Sequence, residues 1–540
     1  MEMIVPQSSS RYRRVCAWII VAAVALGMVG RLKQYVARPS YWNDEAAVVA
    51  NVICRDWRHL LDRLDYAQAA PPLFLWAERG MYLQFGRGEY SLRLLPMLCG
   101  LIVLPLYAKL AWRTLPPASA CWAVGWFCFF QRMVHGSQNV KQYSGDVLVA
   151  VLLLLAVFGL KEGASAARKI LFLSLTAAVS LWFSFPVPFL FGALSLILLP
   201  DCVRGGRRSA MAWLCGNAVV LFSFVALSRI VLSHPADPSL VEFWRDSFPD
   251  FDHPLWIPVW LAGQIYGLFG YPFPSFSALS TALAVLGSVA LIKSGQSKLV
   301  AALLWTFALA FLAAALHRYP FPGRHRLGLY LIPLALLILG AGAEGSNLID
   351  LTRFHTSYFV GSALRTAFSR FNKTIRSADP TRIVQDHLVA KAALVRWWWI
   401  LPLPLLLLEL GQFAKDIAIR EEASTTREVV EYVRSHRRID EPIYLFGDSL
   451  SKCPPSGRSA EFLCYWPDVP GIVGVGFEEP RTISADRFWV VYSLNRPELT
   501  RPGFSDELSN LFGPGLHVNQ SYQSRRQSGA MLFVRDQLTP

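Results

Sequence analysis

The sequence has few charged residues and no long run of charge of one sign. Only 17% of its 540 residues are charged, whereas 54% are hydrophobic and 13% are aromatic. Soluble proteins carry about 25% charged residues, so this composition excludes an ordinary soluble chain. The apolar residues come in runs of about 15 to 23, close to the length that spans a bilayer. The sequence therefore predicts a polytopic membrane protein.

The net charge of +14 is not gathered into a basic patch of the kind that binds nucleic acid. Lys and Arg lie mostly in short segments between the apolar runs. There they serve as orientation signals and as sites for anionic lipid or phosphate. We therefore expect the lipid bilayer as a partner and no nucleic acid.

The sequence offers only one candidate cysteine pair and no pattern of a cleavable signal peptide. Nine cysteines are scattered, mostly in apolar stretches where a small buried hydrophobe is expected. Only Cys453 and Cys464 share a polar region, and a disulfide between them stays open, conditional on an oxidising compartment. Arg11, Arg13 and Arg14 precede the first apolar run without a small-residue cleavage pattern, so we expect that run to remain as an anchor.

Eleven apolar runs are candidate membrane spans. They cover roughly residues 15–30, 94–111, 117–134, 145–160, 170–184, 186–200, 210–232, 275–292, 299–316, 327–343 and 395–412. The segment Ser184-Phe-Pro186-Val-Pro188 favours a hairpin between two short helices over one long helix. With the N-terminus in the cytoplasm, the basic connections lie inside, as the positive-inside rule requires. The segment 344–395 is then an amphipathic stretch on the cytoplasmic leaflet, or a plain linker.

From residue 413 onward the composition becomes that of a soluble domain. Residues 425–437 have helical spacing, and residues 442–446, 488–492 and 530–534 have the pattern of strands. The predicted fold is an α-helical polytopic membrane domain of about eleven transmembrane helices over residues 1–412. A small extracytoplasmic α/β domain over residues 413–540 follows it.

Two adjacent carboxylates, Asp44 and Glu45, lie in the predicted first extracytoplasmic loop, residues 31–93. Loops this long between spans tend to carry function. A carboxylate just above the membrane can take the proton of an acceptor hydroxyl, which is far too weak an acid to ionise by itself at neutral pH. Solvated acids without a role are the alternative. We predict that both residues belong to a reaction site.

A cation, a hydroxyl and an acid follow at the mouth of the fourth span. Lys141, Tyr143 and Asp146 are spaced to share a helical face, on the same predicted side of the membrane as Asp44. A snorkelling anchor is the usual role of a Lys at a helix start. Here the three side chains together indicate a binding surface.

Further cations lie at outside positions, where the orientation bias disfavours them. Arg324 and Arg326 can clamp a phosphate, because each guanidinium forks onto two oxygens; interfacial anchoring is the alternative. If they converge with Lys141 and Arg93, the four cations surround one pocket suited to an anionic lipid headgroup.

Taken together, these short motifs resemble the GT-C glycosyltransferases. The motifs are Asp44-Glu45 after span one, Gln68-x-x-Pro-Pro-Leu, Ser-Leu-Arg93-Leu-Leu-Pro at span two and Lys141-x-Tyr-Ser-x-Asp146 at span four. The resemblance covers roughly residues 15–345 and is strongest from 40 to 146. It is closest to the bacterial branch that contains lipid A core galacturonosyltransferases, aminoarabinose transferases and protein O-mannosyltransferases.

The resemblance implies an inverting transfer of a sugar from a polyprenyl-phosphate donor to a glycolipid, cell-envelope glycan or protein acceptor. The reaction would take place on the extracytoplasmic side of the inner membrane. Asp44 would be the general base, with Glu45 as its catalytic neighbour. The donor phosphate would be held by Lys141, Arg324, Arg326 and Arg93, and the substrates by Gln68, Tyr143, Asp146 and Tyr330.

No metal or other cofactor is predicted, since no spacing singles out Glu78, His253 or His317 as ligands. A transporter or flippase of a lipid-linked or anionic substrate is the main alternative. It would need ionisable residues near mid-bilayer and broken helices in repeated halves, whereas the charges here cluster at span ends. A polysaccharide ligase or polymerase would place its large functional loop late in the chain, and this chain places its acidic loop first.

Overall fold

The computed structural model describes residues 10–160, 163–231, 242–323, 325–344, 402–418, 426–446, 464–465, 472–475, 485–492, 512, 516–523 and 529–535. The α-helices up to residue 231 are α1 (Ser10–Ala37), α2 (Asn43–Cys54), α3 (Pro72–Phe85), α4 (Glu89–Thr114), α5 (Pro117–Phe129), α6 (Gln131–Gly136), α7 (Tyr143–Phe158), α8 (Ala166–Ser180), α9 (Val187–Arg204) and α10 (Arg207–Val231). Those beyond it are α11 (Ile257–Gly270), α12 (Ser277–Lys293), α13 (Ser297–Ala315), α14 (Ile332–Gly342), α15 (Leu403–Ala418) and α16 (Thr426–His436).

Long apolar helices confirm the prediction of a multi-pass helical membrane protein. Within the described ranges, six helices are long and apolar enough to cross a bilayer, namely Ser10–Ala37, Glu89–Thr114, Val187–Arg204, Arg207–Val231, Pro274–Lys293 and Ser297–Ala315. Pro117–Phe129, Tyr143–Phe158 and Arg326–Gly342 are apolar but shorter. The predicted break in the run 170–200 is observed, because α8 ends at Ser180 and α9 begins at Val187. The count of eleven crossings stays a prediction.

The core of the membrane domain lies where α4 and α5 meet. Tyr107 and Phe127 stack there with ring centroids 3.9 Å apart, and Trp126 is fully buried beside them. Elsewhere, α12 and α14 approach closely at a glycine. A Cβ on Gly287 would collide with the carbonyl oxygen of Ile338, so only a residue without a side chain lets the two backbones come this near.

The predicted third span, 117–134, is interrupted at Phe130, which separates α5 from α6. Both helix ends at the break are satisfied by buried charges from other helices. The guanidinium of Arg31 donates 2.9 Å to the carbonyl of Cys128, and Glu409 accepts the N–H of Gln131 at 3.1 Å. A cation at a helix C-terminus and an anion at a helix N-terminus are the favourable placements. The break directs residues 137–142 toward the first loop.

The first loop is shorter and more helical than the sequence predicts. Helix α1 continues to Ala37, beyond the predicted end at residue 30, and α4 begins at Glu89. Between them, α2 and α3 fill the segment, and α3 is followed by the capping residue Gly86, whose φ of 83° suits a residue without a side chain. Helix α11 was not predicted either, because its fourteen residues are too few for a span.

The C-terminal region forms the small α/β domain that the sequence predicts. Its strands are β1 (Ile443–Phe446), β2 (Ile472–Val475), β3 (Arg487–Tyr492), β4 (Leu516–Gln523) and β5 (Gly529–Arg535), in the order β2-β1-β3-β5-β4. β1 runs parallel to β2 and β3, whereas β5 runs antiparallel to β3 and β4. Val429 and Val433 of α16 pack on Trp489 and Leu532 of the sheet. Strand β4 was not predicted because its side chains are mostly polar and exposed.

Two further predictions fall on residues that are not described. Residues 345–395 of the predicted amphipathic segment and Cys453 lie outside the described ranges. Cys464 is described, and its thiol lies 3.4 Å from the carbonyl oxygen of Ala46 in the first loop.

Candidate active site

The two adjacent acids occupy the first turn of α2, where the helix dipole favours negative charge. Trp42 precedes them in an extended conformation, and its N–H lies 3.4 Å from a carboxylate oxygen of Glu45. Successive helical residues point about 100° apart, so neighbouring acids face different surroundings. Glu45 is fully buried, whereas 24% of the Asp44 side chain is exposed. Only Asp44 is open to a substrate.

Glu45 forms a buried ion pair with Arg93. Nε and Nη2 of Arg93 donate 2.9 and 2.8 Å to the two carboxylate oxygens, and the two side chains are 3% and 1% exposed. The N–H of Val140 donates 2.9 Å to the same carboxylate. The remaining contacts of Arg93 are with the carbonyl oxygens of Pro39 and Ser40. Glu45 thus ties α2 to the start of α4 and to the segment before α7.

Asp44 pairs instead with Arg326, which lies far along the chain, directly before α14. Oδ2 of Asp44 lies 2.5 Å from Nη2 of Arg326, whose side chain is 28% exposed. The guanidinium carbon of Arg326 lies 5.8 Å from the ring centroids of both Trp42 and Tyr143. Arginine stacks readily on aromatic faces, so the two rings hold this cation in place. Asp44 and Arg326, two of the predicted site residues, are therefore in direct contact.

Lys141 lies in the same cluster but is buried, with 5% exposure. Its Nζ donates to Oε1 of Gln68. Burial lowers the pKa of Lys141 to about 8, and the nearby carboxylate of Asp44 opposes that shift by favouring the charged amine. The guanidinium of Arg326 lowers the pKa further, as like charges do. The cluster thus holds two cations around one accessible acid.

Gln68 reaches Lys141 from a strained backbone. Tyr66 and Ala67 adopt left-handed conformations, with φ of 64° and 50°, and Nε2 of Gln68 donates 3.1 Å to the carbonyl of Tyr66. Such conformations are unfavourable by about 1 to 2 kcal/mol per residue for L-amino acids. Strain of this kind gathers at functional sites, where surrounding contacts maintain it.

Three of the predicted substrate-binding side chains are buried, namely Tyr143, Asp146 and Tyr330, with exposures of 8%, 8% and 2%. Within the described part of the chain, Oδ1 of Asp146 and the hydroxyl of Tyr330 are buried without a hydrogen-bond partner. An unpaired buried polar atom destabilises a fold by about 1 to 3 kcal/mol. Ser184, from the turn between α8 and α9, lies beside Asp146.

Sequence reasoning missed some neighbours of the cluster, and one predicted residue is not described. Arg324 lies outside the described residues. Tyr271 interacts electrostatically with Arg326, and the guanidinium carbon of Arg132 lies 4.3 Å from the centroid of the Tyr271 ring. The aromatic and proline-rich run from Tyr271 to Phe276, at the edge of a span, was the available signal. Ser184 has no comparable signal in the sequence.

The residues considered as metal ligands do not form a metal site. Across the described ranges, no group of three or more His, Cys, Asp or Glu side chains is placed to hold a metal ion. Glu78 is buried, and His253 is exposed and pairs with Asp250 at 2.9 Å.

Comparison with known proteins finds structural relatives only. No protein-family profile and no curated protein matches the sequence. Undecaprenyl-phosphate-bound ArnT from Cupriavidus metallidurans superposes with a TM-score of 0.53 and 13% identity, over 96% of this chain and 98% of that one. Apo ArnT gives a TM-score of 0.52, 12% identity and the same coverage. The apo oligosaccharyltransferase of Archaeoglobus fulgidus, at 11% identity and a TM-score of 0.43, covers 96% of this chain and 74% of that one.

ArnT is an aminoarabinose transferase of the GT-C superfamily. The agreement with it extends over nearly the whole of both chains. The protein described here therefore has the GT-C fold, as its sequence motifs imply. Since one fold can host many functions, the activity has to be argued from the site.

Proposed function

We propose that this protein is an inverting glycosyltransferase of the extracytoplasmic side of the inner membrane. It moves a sugar from a polyprenyl-phosphate donor to a hydroxyl of a glycolipid, envelope glycan or protein. One observation carries the proposal: Asp44, Lys141 and Arg326, from three separate loops, form a single cluster. A base and two fixed cations are the groups that such a transfer requires.

In the proposed reaction, the acceptor oxygen bonds to the anomeric carbon while the bond from that carbon to the phosphate oxygen breaks. The hydroxyl proton passes to Asp44. The bonding electrons leave with the carrier, which departs as polyprenyl phosphate with one more negative charge. Lys141 and Arg326 stabilise that charge, because cations fixed in a low-dielectric site stabilise it more than water does. Displacement from the face opposite the phosphate inverts the anomeric centre.

The ion pair between Asp44 and Arg326 implies that the donor, besides supplying the sugar, also frees the base. While the pair is closed, the guanidinium occupies the carboxylate that must take the proton. A donor phosphate is a bidentate acceptor for arginine and competes for the same guanidinium. Donor binding would therefore release Asp44 to act as the base, so donor binding precedes acceptor activation.

Glu45 and Arg93 have a supporting role in this proposal, although the sequence predicts a catalytic Glu45 and a phosphate-binding Arg93. Both side chains are almost completely buried, and each is engaged by the other and by backbone groups. Neither presents a free face to a substrate. We assign them to holding α2 at the position from which Asp44 faces Arg326.

The proposal is tested by mass spectrometry of envelope glycolipids and proteins from cells with and without the protein. We expect one sugar mass to be lost without the protein and restored by the wild type. Arg326→Gln should give about a hundredfold slower transfer in proteoliposomes, the usual effect of removing one charge that stabilises a transition state. Arg55→Gln is the matched control, because Arg55 is an arginine of the first loop that pairs with Asp65 rather than with Asp44.

Equal activity of Arg326→Gln and Arg55→Gln would contradict the phosphate role of Arg326. Translocation of a labelled donor without any covalent sugar product would contradict transfer itself. That result would favour the transporter or flippase alternative instead.

The pH dependence of the reaction should report the protonation of the Lys141 amine. The pKa of about 8 means that the amine is charged below pH 8 and loses its charge above it. A neutral amine cannot pair with the donor phosphate, so kcat/KM for the donor should fall about tenfold per pH unit above that value. Lys141→Arg should move the decline to higher pH, because arginine stays protonated. An unchanged alkaline decline in Lys141→Arg would remove Lys141 from phosphate binding.

A further inference from the structure

The C-terminal domain contacts the first loop directly before Asp44. The hydroxyl of Tyr465 accepts the N–H of Tyr41 at 2.7 Å and donates to Oε1 of Glu89 at 3.1 Å. The rings of Tyr41 and Tyr465 lie 5.7 Å apart between centroids. Tyr465 thus joins the extended segment before α2 to the first residue of α4.

A second contact lies on the other side of Asp44. The thiol of Cys464 is 3.4 Å from the carbonyl oxygen of Ala46, and Cys464 is only 1% exposed. It packs into the same apolar cluster as Tyr41 and Val49. Two consecutive residues of the C-terminal domain therefore contact the chain on both sides of Asp44.

A third contact joins α16 to the same place. Arg427 donates 2.9 Å to Oε1 of Glu89 and 3.2 Å to the carbonyl of Arg38. The other oxygen of Glu89 accepts from Nε of Arg38 at 2.9 Å, and the Glu89 side chain is 2% exposed. Charge-assisted hydrogen bonds to a buried carboxylate are among the stronger polar contacts in proteins. The docking is therefore specific rather than a loose surface contact.

We propose that Tyr465 is a positioning residue for Asp44, so that the C-terminal domain is part of the catalytic apparatus. The inference rests on the proposed role of Asp44 as the base. Glu45 and Arg93 fix α2, and Arg93 also binds the carbonyl oxygens of Pro39 and Ser40. The residues between Ser40 and α2 are not helical and include Trp42, whose ring lies against Arg326. The Tyr465 hydroxyl fixes that segment through Tyr41. Since misplacement of a reacting group by about 1 Å lowers rates as much as a hundredfold, this restraint acts on kcat.

The test uses Tyr465→Phe in the full-length protein in proteoliposomes, which keeps the ring contact and removes both hydrogen bonds. We expect kcat to fall about tenfold, the effect of losing two hydrogen bonds, while KM for the donor stays within about twofold. Arg427→Gln should act in the same direction. Tyr444→Phe is the matched control, since Tyr444 lies in β1 of the same domain and its ring packs edge-on against Phe488 of the sheet.

An activity-independent measurement follows the docking itself. Cys464 should react slowly with a membrane-impermeant maleimide in the wild type, because its thiol is buried, and faster in Tyr465→Phe and Arg427→Gln. Peptide mass spectrometry identifies the labelled cysteine. Faster labelling with an unchanged kcat would overturn the positioning role, as would a kcat for Tyr465→Phe equal to that of Tyr444→Phe. An active Asp44→Asn together with faster labelling would overturn the proposed function and leave the docking intact.

Discussion

Asp44→Asn should lower kcat for sugar transfer about a thousandfold, because general bases contribute between about a hundredfold and ten-thousandfold to such steps. The amide keeps the shape of the side chain but has no basic oxygen to accept the hydroxyl proton. The substitution also removes the carboxylate that pairs with Arg326, and the donor phosphate then has no carboxylate to displace from that guanidinium. KM for the donor should therefore stay the same or fall while kcat collapses. Steady-state initial rates of transfer from a labelled polyprenyl-phosphate sugar, at varied donor concentration, measure both values.

The matched control for this variant is Asp65→Asn. Asp65 is an acid of the same loop, and its side chain is 44% exposed and pairs with Arg55 at 2.9 Å. Exposed ion pairs contribute only about 0 to 1 kcal/mol, so this change should leave transfer nearly untouched. If Asp44→Asn transfers sugar within tenfold of Asp65→Asn, Asp44 is not the base.

Much of the membrane architecture follows from the sequence because hydropathy has a fixed length scale. The runs that end near Thr114, Phe158 and Ala315 appear as helices with ends close to the predicted ones. The shared location of Asp44, Lys141 and Arg326 was also predictable. Each lies in a segment placed outside by the positive-inside rule, and such segments meet at one membrane surface.

The different environments of Asp44 and Glu45 could not be predicted, because the two acids look equivalent in the sequence. Their separation depends on the rotation of α2, which the buried contacts of Glu45 with Arg93 and Val140 fix. Arg93 was predicted to bind phosphate because the positive-inside rule disfavours a cation on the extracytoplasmic side, so its presence there requires a nearby anionic partner. The explanation that the structure provides is a carboxylate 48 residues away in the chain.

The contact between the C-terminal domain and the first loop likewise had no sequence signal. Tyr465 and Tyr41 are 424 residues apart, and neither belongs to a recognisable motif. A single hydroxyl that bridges a backbone N–H and a carboxylate has no periodicity or composition to reveal it. Contacts of this kind depend on how the completed domains meet.

The ion pair of Glu45 with Arg93 leads to the prediction with the largest effect on stability. Arg93→Met removes the cation and leaves the buried carboxylate without its partner. Breaking one side of a buried pair destabilises a protein by about 3 to 5 kcal/mol, because the remaining charge has lost its compensation. Thermal unfolding in detergent, followed by tryptophan fluorescence, should show a clear loss of stability. Arg204→Met is the control, since 79% of the Arg204 side chain is exposed in its ion pair with Asp201, and exposed pairs contribute little to stability.

A double variant separates the two contributions of this pair. In Arg93→Met with Glu45→Leu, no buried charge is left uncompensated, so most of the lost stability should return. Transfer activity should not return, because the N–H of Val140 has lost the carboxylate that holds the Lys141 segment beside α2. A stable double variant with wild-type activity would show that the pair serves stability alone. A stable but inactive one would show that the same buried pair also sets the distance between the base and the phosphate-binding cations.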